Sequence, residues 1–379
     1  MDADVAVIGV GTIGSMTMWR LAELGVEAIG FERFAPGHDR GAAGGNTRLF
    51  RLAYMEGAQY VPLLKQSLGL WRELSEQTAT QLLVQCGGLS IGRPQDASMQ
   101  QVAESASSYG LKLQILQQAE MAEKYPQHVL DEGELAYFDP EAGFLRSEQA
   151  VVTAAARAES LGARILRYHR VERVEPTRDG VVIEAEGSTW RVRTAILALG
   201  SWAPPLLPSP PAHSVSPKRV LLTWFAPKSV QDFEPEVFPV FTRQSGSDFL
   251  YGAPTADHAS VKVCGLRPTD IDDPDRFERR HDPVELARMV ELLRAHVSGL
   301  HPDPVRSAGF TDLYSSDGHG ITGHHPQTPN IVLAGAYSGR GFKFAPAVGD
   351  AVARLAVGEA VPEIAFMRPE RFATRGSHR

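Results

Sequence analysis

Gly9, Gly11 and Gly14 have the residue type and the spacing to bind a pyrophosphate group. Gly9 permits a tight turn, Gly11 lets the backbone approach the anion, and Gly14 lets a helix pack closely against a strand. The backbone amides at the start of that helix, where Thr12 and Ile13 lie, have no carbonyl partner within the helix, so they are free to bind phosphate. These residues predict dinucleotide chemistry.

The elements around the glycines are those that such a site requires. Val5–Ile8 is a continuous apolar run typical of a buried parallel strand, Ser15–Leu24 has helical spacing, and Val26–Phe31 predicts a second strand. Glu32 ends that strand, where it would accept hydrogen bonds from ribose hydroxyls and repel a 2′-phosphate. The unit predicts a site for FAD or NAD rather than NADP; the alternative is a glycine-rich turn in an ordinary α/β domain.

Three cations occupy positions where charge could serve a reaction. Arg48 and Arg51 follow a segment of small residues, 41–46, that lets backbone pass close to a bound ring system. If a helical turn begins at Thr47, the two guanidinium groups share one face; the alternative is two solvated arginines. Lys262 stands alone in an apolar strand, where an inward-pointing ammonium is costly to bury, and its alternative is the wet face of the sheet.

Composition restricts the class of protein. The chain has 379 residues, enough for about two domains, and its 43% apolar and 22% charged residues exclude a disordered chain. The net charge of −7 argues against a broad nucleic-acid-binding surface. The two cysteines, Cys86 and Cys264, form neither a disulfide framework nor a zinc motif. No basic leader or long apolar run is present, so we expect a cytoplasmic protein without membrane contact.

The remaining pattern predicts a nucleotide-binding domain assembled from separated segments, with a sheet domain inserted between them. We assign residues 1–75, 145–210 and 316–379 to the first domain, and residues 76–144 and 211–315 to the second. The fold class is α/β (α+β), with a Rossmann-like domain and a mixed or antiparallel sheet. Predicted helices cover Tyr60–Leu74, Ser98–Ser108, Ala119–Tyr125, Ser147–Leu161, Pro283–Val297 and Ala345–Leu355, and predicted strands include Gln81–Ile91, a meander over 171–192, Thr194–Leu199 and Ile331–Gly335.

Motifs along nearly the whole chain match, in order, those of a known family. They are Val7–Gly14 with Glu32, Thr47–Arg51 with Tyr54, Tyr60-Val61-Pro62, Gly200-Ser201-Trp202, and Ala336-Tyr337-Ser338-Gly339-Arg340-Gly341-Phe342-Lys343-Phe344. The sequence resembles the monomeric sarcosine oxidase and N-methyltryptophan oxidase family, within the D-amino-acid-oxidase superfamily. The first and last motifs are specific only in combination.

The resemblance implies a flavoprotein that binds FAD in an extended form. The family oxidises a C–N bond, usually of a secondary amino acid. A hydride equivalent passes to flavin N5, and dioxygen reoxidises the flavin to give hydrogen peroxide. The matched cofactor positions are Gly9, Gly11, Thr12, Ile13, Gly14, Glu32, Arg33, Gly45, Thr47, Arg48, Val171, Gly200, Trp202, Gly339, Arg340, Gly341, Phe342 and Lys343.

Five further matches imply roles in catalysis or substrate binding. Arg51 and Lys343 fall where the family binds the substrate carboxylate, the arginine as a planar fork and the lysine as a point charge. Arg48 matches a cation beside the flavin ring, which would stabilise the negative charge that gathers there on reduction. Lys262 matches the lysine that activates dioxygen. Tyr251 matches a pocket tyrosine, with a packed core tyrosine as the alternative.

Three departures from the family pattern imply different pocket chemistry. Asp312 stands where sarcosine-type members carry the cysteine that attaches the flavin, if Tyr314 is matched to their pocket tyrosine; an ungapped count places Phe310 there instead. We follow the tyrosine and expect non-covalent FAD, since neither cysteine is near. Leu266 replaces a pocket histidine, and Arg340 replaces the histidine of the final motif. Asp312 would hold an ammonium group or accept a proton, and Arg340 would bind a second anionic group; each alternatively forms a rim salt bridge.

The resulting expectation is an FAD oxidase of a carboxylate-bearing secondary amine or an amino or imino acid, other than sarcosine. We expect a small-molecule substrate, dioxygen, no nucleic acid, and a monomer or small homo-oligomer. The alternatives are an FAD- or NAD-linked dehydrogenase that does not use dioxygen, and a flavoprotein without turnover. We expect no metal, because the adjacent His324 and His325, in a proline-rich turn with His319 nearby, would point in opposite directions.

Overall fold

The computed structural model describes residues 1–209, 211–246 and 248–376. Within those residues the chain forms seven α-helices. They are α1 Thr12–Glu23, α2 Val61–Thr78, α3 Ala97–Tyr109, α4 Gln118–Lys124, α5 Ser147–Ser160, α6 Pro283–His296 and α7 Ala345–Ala356. Among the described helices, none combines the length and the hydrophobicity needed to span a bilayer.

The same residues form twenty strands. They are β1 Ala3–Ile8, β2 Ala28–Glu32, β3 Thr47–Phe50, β4 Leu83–Val84, β5 Gly88–Gly92, β6 Gln114–Leu116, β7 Leu135–Asp139, β8 Gly143–Arg146, β9 Arg164–Arg167, β10 Val171–Thr177, β11 Gly180–Ala185, β12 Ser188–Leu197, β13 Val215–Pro227, β14 Val240–Ser245, β15 Asp248–Ala253, β16 Val261–Cys264, β17 Thr269–Asp270, β18 Leu300–Ser315, β19 Ile321–His325 and β20 Thr328–Gly335.

The first sheet is a Rossmann-like parallel sheet. Its parallel strands lie in the order β9, β2, β1, β12 and β20, and β19 adds an antiparallel edge beside β20. Helices α1, α5 and α7 cover one face and bury Trp19, Val151 and Val348 in a common core. The antiparallel ribbon of β10 and β11 extends from β12 and contributes to a second core with Ile8 and Phe31. The central strands β1 and β2 are therefore buried where the glycine turn follows β1.

The second sheet is mixed, in the order β17, β13, β16, β15, β14, β5, β7 and β6, with β18 paired along β13. Its neighbours are antiparallel except for β14 and β5, which run parallel. A short third sheet of β3, β8 and β4 joins the chain between the two large sheets. The predicted fold class is confirmed, whereas the residue boundaries of the two domains stay a prediction. The proline cluster from Pro204 to Pro217, whose pattern predicts a crossing between the domains, includes Pro210, which lies outside the described residues.

Most predicted helices form within three residues of their expected ends, but three local predictions are wrong. Thr47 begins strand β3 rather than a helical turn, because residues 47–50 pair with β8. The single strand expected over Gln81–Ile91 is two strands in different sheets, separated at Gly87, whose φ of +74° breaks the extension. His324 and His325 end strand β19 and do not lie in a turn. The sixteen-residue strand β18 was not predicted.

Candidate active site

A cavity of about 640 Å³ lies where the first sheet faces the second. Its walls come from the glycine turn, the segments after β2 and β12, strand β18 and the glycine-rich segment before α7. The predicted site residues that line it are Gly9, Gly11, Thr12, Ile13, Glu32, Arg33, Arg48, Val171, Gly200, Trp202, Asp312, Gly339, Gly341 and Phe342. Gly14, Gly45, Thr47, Lys262, Arg51, Lys343, Tyr251, Tyr314 and Arg340 do not line it.

The glycine turn has the geometry of an anion-binding loop. Gly9 has a φ of +90°, and an added Cβ would lie 2.5 Å from the carbonyl oxygen of Ala198. A Cβ on Gly14 would lie 1.8 Å from the carbonyl oxygen of Gly9, so helix and strand meet closely there. A Cβ on Gly11 would meet no atom within 4 Å, and Thr12 Oγ1 is buried without a partner among the described residues. The start of α1 thus presents free donors to the cavity.

Glu32 organises the next part of the wall. Its carboxylate accepts hydrogen bonds from the backbone N–H of Val10 at 2.9 Å and of Phe34 at 2.8 Å. The ring of His38 lies 3.6 Å away, and burial lowers the pKa of this histidine despite the neighbouring carboxylate. Glu32 is therefore fixed by backbone donors, and its remaining lone pairs are available to ribose hydroxyls.

A loop of the second sheet closes over the same end of the cavity. Asp275, which follows β17, pairs with Arg33 at 2.8 Å and accepts a hydrogen bond from Trp202 Nε1 at 2.9 Å. Asp272 and Asp273 line the cavity beside it. The loop therefore connects segments that are more than seventy residues apart in sequence.

Arg48 and Lys262 meet at one turn of the backbone. The Arg48 guanidinium donates to the carbonyl oxygens of Ala42, Gly44 and Thr47. Lys262 is 3% exposed, and its Nζ donates to the carbonyl oxygens of Gly45 at 3.1 Å and Thr47 at 2.9 Å. Neither cation has a carboxylate partner within ion-pair distance in the described part of the chain. Both charges are therefore held by neutral oxygens close to the cavity.

The ammonium of Lys262 is poised to lose its proton near neutrality. Burial, together with the positive charge of Arg48, lowers its pKa to about 7. The ammonium lies 5.5 Å from the ring centre of Trp224. The guanidinium of Arg306 lies 4.3 Å from the centre of the same ring. The lysine points inward, so the alternative of a solvated lysine on the wet face of the sheet is wrong.

Asp312 joins β18 to the final glycine motif. Its Oδ1 accepts from the N–H of Leu313 at 2.8 Å, and its Oδ2 accepts from the N–H of Gly339 at 2.9 Å. Burial raises the pKa of this carboxyl to about 6, against the effect of these hydrogen bonds. Phe310 instead packs in a core with Trp224. Asp312 lines the cavity, whereas Phe310, the alternative given by the ungapped count, does not.

Arg51 and Lys343 both lie close to the ring of one tyrosine. The Arg51 guanidinium and the Lys343 ammonium lie 5.8 Å and 5.2 Å from the ring centre of Tyr54. Arg51 donates to Thr242 Oγ1 at 3.1 Å, and Lys343 donates to the backbone carbonyl of Arg340 at 3.1 Å. Arg51 is 5% and Lys343 is 7% exposed, so neither charged group is solvated at the protein surface. Burial lowers the pKa of Lys343 to about 7.

Glu56 is the acidic member of this group, and sequence reasoning missed it. Its carboxylate lies 3.7 Å from Arg51 and 4.0 Å from Arg340, and its Oε2 is buried without a hydrogen-bond partner among the described residues. The signal was present, since Glu56 lies between the quoted motifs at Tyr54 and Tyr60. Arg340 also donates to the carbonyl of Gly318 at 3.2 Å and is one-third exposed.

Tyr251 and Tyr314 lie on the sheet beside these charges. Tyr251 pairs in register with Cys264 on β16, two residues beyond Lys262. Burial raises the pKa of both phenols, and Asp312 adds to the effect at Tyr314. The Tyr314 hydroxyl would lie 2.8 Å from a Cβ on Gly339, so this tyrosine contacts the glycine motif that Asp312 also binds.

The fold and this site define a class of flavin-dependent redox enzyme. The model of the DAO family, described as FAD dependent oxidoreductase, matches residues 4–355, and the protein belongs to this family. Monomeric sarcosine oxidase of Streptomyces avermitilis is 30% identical over 98% of this chain and 98% of its own length. N-methyl-L-tryptophan oxidase of Yersinia pestis is 30% identical over 94% of this chain and 95% of its own length.

These matches confirm the predicted family resemblance and the predicted class of FAD-dependent oxidoreductase. Of the two cofactors that the glycine turn allowed, FAD and NAD, the family uses FAD. Among solved structures, the open form of NikD, whose title calls it an unusual amino acid oxidase essential for nikkomycin biosynthesis, superposes with a TM-score of 0.84. It is 22% identical, with 97% of each chain covered, which shows a shared fold.

The residues of the cavity fit FAD. The open space above Gly11, the unpartnered Thr12 Oγ1 and the start of α1 suit a pyrophosphate, while the Glu32 carboxylate suits a ribose. Ser201 Oγ is a second buried hydroxyl in the wall without a partner among the described residues. No cluster of three or more metal-binding side chains occurs in the described ranges.

Proposed function

We propose that this protein is an FAD-dependent oxidase of a carboxylate-bearing secondary amine or of an amino or imino acid. The observation that carries the proposal is the buried pair of cations, Arg51 and Lys343, which both lie close to the ring of Tyr54. Two desolvated positive charges around one aromatic ring form a receptor for a small anion. FAD, when bound, supplies the hydride acceptor and, once reduced, the electrons that convert dioxygen to hydrogen peroxide.

The chain's own residues bind, orient and manage charge. Arg51 and Lys343 hold the substrate carboxylate. Arg48, in the cavity wall, supplies a fixed positive charge where negative charge develops, and Lys262 supplies the cation that favours electron transfer to dioxygen. Asp312, whose pKa is raised to about 6, accepts the proton of the substrate ammonium. The same carboxylate also accepts a hydrogen bond from the N–H of Gly339.

The substrate is larger or more polar than sarcosine. Arg340, which replaces the histidine of the family motif, lies beside Glu56 at the edge of the Arg51 group. A guanidinium and a carboxylate at that edge provide partners for a further polar group on the substrate. The extra polar contacts would be unused by sarcosine, which has one carboxylate and one methylamino group.

FAD is held without a covalent bond through cysteine. Neither Cys86 nor Cys264 lines the described cavity, and Asp312 stands at the matched attachment position. Acid precipitation of the yellow holoenzyme should release the chromophore into the supernatant. Chromophore that stays in the pellet after extensive washing would contradict this part of the proposal.

The proposal is tested by anaerobic reduction of the bound flavin. We expect N-alkyl amino acids or imino acids with a second polar group to bleach the flavin faster than sarcosine does, and admission of dioxygen to restore the colour with release of hydrogen peroxide. Bleaching without reoxidation by dioxygen would identify a dehydrogenase. No bleaching by a broad panel that includes glycine, sarcosine, N-methyl-L-tryptophan, L-proline and N-methyl-L-glutamate would favour a flavoprotein without turnover.

The receptor itself is tested by Arg51→Ala. This substitution should weaken binding of acetate, measured by the change in the flavin spectrum, by about 2–5 kcal/mol if the charge is desolvated. An unchanged acetate affinity would place Arg51 outside the substrate site.

Three further expectations remain part of the proposal. They are a cytoplasmic location, a monomeric or small oligomeric state, and an FAD-binding domain made of residues 1–75, 145–210 and 316–379.

A further inference from the structure

The backbone turn that holds both Arg48 and Lys262 is itself held by one side chain. Glu148, in the first turn of α5, accepts hydrogen bonds from the backbone N–H of Gly45 at 2.6 Å and of Asn46 at 2.9 Å. The carbonyl of Asn46 in turn accepts from the N–H of Ser147 at 3.0 Å. The start of α5 and this turn are therefore joined by hydrogen bonds in both directions.

The turn cannot keep this shape through local preference alone. Gly45 has a φ of +103°, and the next residue, Asn46, has a φ of +66°, which is uncommon for a residue with a side chain. A Cβ on Gly45 would lie 2.6 Å from Leu222. Two successive left-handed residues direct their N–H groups toward one anion, and here the anion is the Glu148 carboxylate.

The opposite side of the turn faces the cations. The carbonyls of Gly45 and Thr47 accept from Lys262, while those of Ala42, Gly44 and Thr47 accept from Arg48. An anion that binds the amides of this turn thus fixes the direction of the carbonyls that bind both cations.

We propose that Glu148 is a positioning residue, which sets the place and the charge of the oxygen-activating Lys262 through the Gly45–Thr47 turn. The inference rests on the proposed role of Lys262 and extends it to a residue in another helix. Glu148 does not line the cavity, so its effect passes through the turn.

The charged groups around Lys262 explain why this carboxylate matters. Arg48 on β3 and Arg306 on β18 both lower the pKa of Lys262, in addition to burial. Cys264 on the same strand and Glu148 on α5 act in the opposite direction. Glu148 is the carboxylate among these neighbours, so it supports the protonated form of the lysine against two guanidinium groups.

The test is Glu148→Gln, which keeps the size of the side chain and removes its charge. We expect the rate constant for reoxidation of the reduced holoenzyme by dioxygen to keep its sigmoidal pH dependence, with the midpoint lower by roughly half to one pH unit. In protein labelled with ¹³C at the lysine Cε, the resonance that Lys262→Met removes should titrate with a midpoint displaced by the same amount, with and without FAD.

Two further variants keep the test decisive. Glu148→Asp retains the charge but withdraws it by one methylene, so we expect both pH midpoints to move in the same direction by a smaller amount. This variant replaces Glu148→Gln in the test if the glutamine variant does not fold. Glu120→Gln is the matched control, since Glu120 lies in the first turn of α4 and binds the backbone N–H of Gln117 far from the turn. It should lower thermal stability at most and leave both midpoints unchanged.

An unchanged midpoint of the Lys262 resonance in Glu148→Gln or Glu148→Asp, with only a loss of thermal stability, would overturn the inference. Failure of the proposed function would look different. If Lys262→Met reoxidises at the wild-type rate, Lys262 has no role with dioxygen, whereas the displacement of its resonance by Glu148→Gln would still establish the positioning contact.

Discussion

The carboxylate of Glu56 lies 3.7 Å from the guanidinium of Arg51, the residue that we propose as the carboxylate receptor. The site therefore contains its own anion in the position where a substrate carboxylate would compete for the same charge. Both side chains are largely buried, with 6% of the Arg51 side chain and 15% of the Glu56 side chain exposed. The contact is long for an ion pair and leaves Glu56 Oε2 without a partner among the described residues, so it is open to displacement.

Glu56→Gln should strengthen the binding of simple carboxylates. Removal of the internal negative charge leaves the guanidinium of Arg51 with an uncompensated positive potential, which we expect to raise acetate affinity by roughly three- to tenfold, or about 1 kcal/mol. Titration of the bound flavin's visible spectrum measures this affinity. Glu104→Gln, on the exposed face of α3, is the control. Weaker acetate binding would mean that Glu56 orients Arg51 rather than competing with the ligand.

Lys262 should make reoxidation depend on pH. Its pKa is lowered to about 7 by burial, so the ammonium is present below that pH and is lost as the pH rises through it. We expect the reoxidation rate constant to fall above a midpoint at or above pH 7, because negative charge on the bound cofactor raises the lysine pKa. Lys262→Met should slow reoxidation far more than anaerobic reduction and should remove this pH dependence. Equal effects on both half-reactions would contradict the role.

Asp275 should slow the loss of FAD. The side chain joins Arg33 and Trp202 across one end of the cavity, so Asp275→Ala should raise the rate of FAD release by about three- to tenfold, as expected for a partly exposed ion pair plus one hydrogen bond. Release is followed by the flavin fluorescence after dilution of the holoenzyme. Asp275→Asn keeps the acceptor for Trp202 and should give an intermediate rate. Asp303→Ala, at an exposed site, should release FAD at the wild-type rate.

His128 should make the fold sensitive to acid. The buried ring stacks on Phe238 and meets Phe241 edge-on, and its nitrogens have no partner among the described residues. Burial lowers its pKa to about 3. Because the unfolded chain binds a proton near pH 6.5 and the folded chain does not, stability conferred by the neutral ring is lost as the pH falls from 6.5 toward 3. At pH 5 the loss amounts to about 2 kcal/mol.

Urea unfolding at pH 7.5 and pH 5 measures this effect. His128→Phe should lose less stability between the two pH values than the wild type, while His301→Phe, at an exposed position, should lose as much as the wild type. The same acid sensitivity in His128→Phe and in the wild type would assign the loss to other groups.

Local signals were sufficient to predict the opening unit and the helices. Gly9, Gly11 and Gly14 follow an apolar strand and open a helix within one short stretch of sequence, and amphipathic runs such as that of α2 reflect one buried face. The steric contact of Gly14 with Gly9 is local, whereas that of Gly9 with Ala198 is not. The inward direction of Lys262 was suggested by its apolar strand, and the structure supports it.

Partners that are distant in sequence could not be predicted in the same way. Thr47–Phe50 forms a strand because β8 pairs with it a hundred residues later, which outweighs the local preference of four residues. Glu148 and Asp275 lie 103 and 73 residues from Gly45 and Trp202, so only the tertiary fold brings them together. Glu56 lies between the motifs at Tyr54 and Tyr60, but one of its partners, Arg340, is distant in sequence, so its place in the site depends on the tertiary fold.

The spread of the cavity wall along the chain has a consequence for biosynthesis. Its lining residues run from Ile8 to Phe342, and the turn after β1 meets the segment before α7 only when both have left the ribosome. A growing chain that ends before Phe342 lacks one wall of the pocket, so capture of the coenzyme must come late, after translation has nearly finished. Until then the apolar strands that flank the pocket lack their final partners, and such exposed apolar surface favours aggregation.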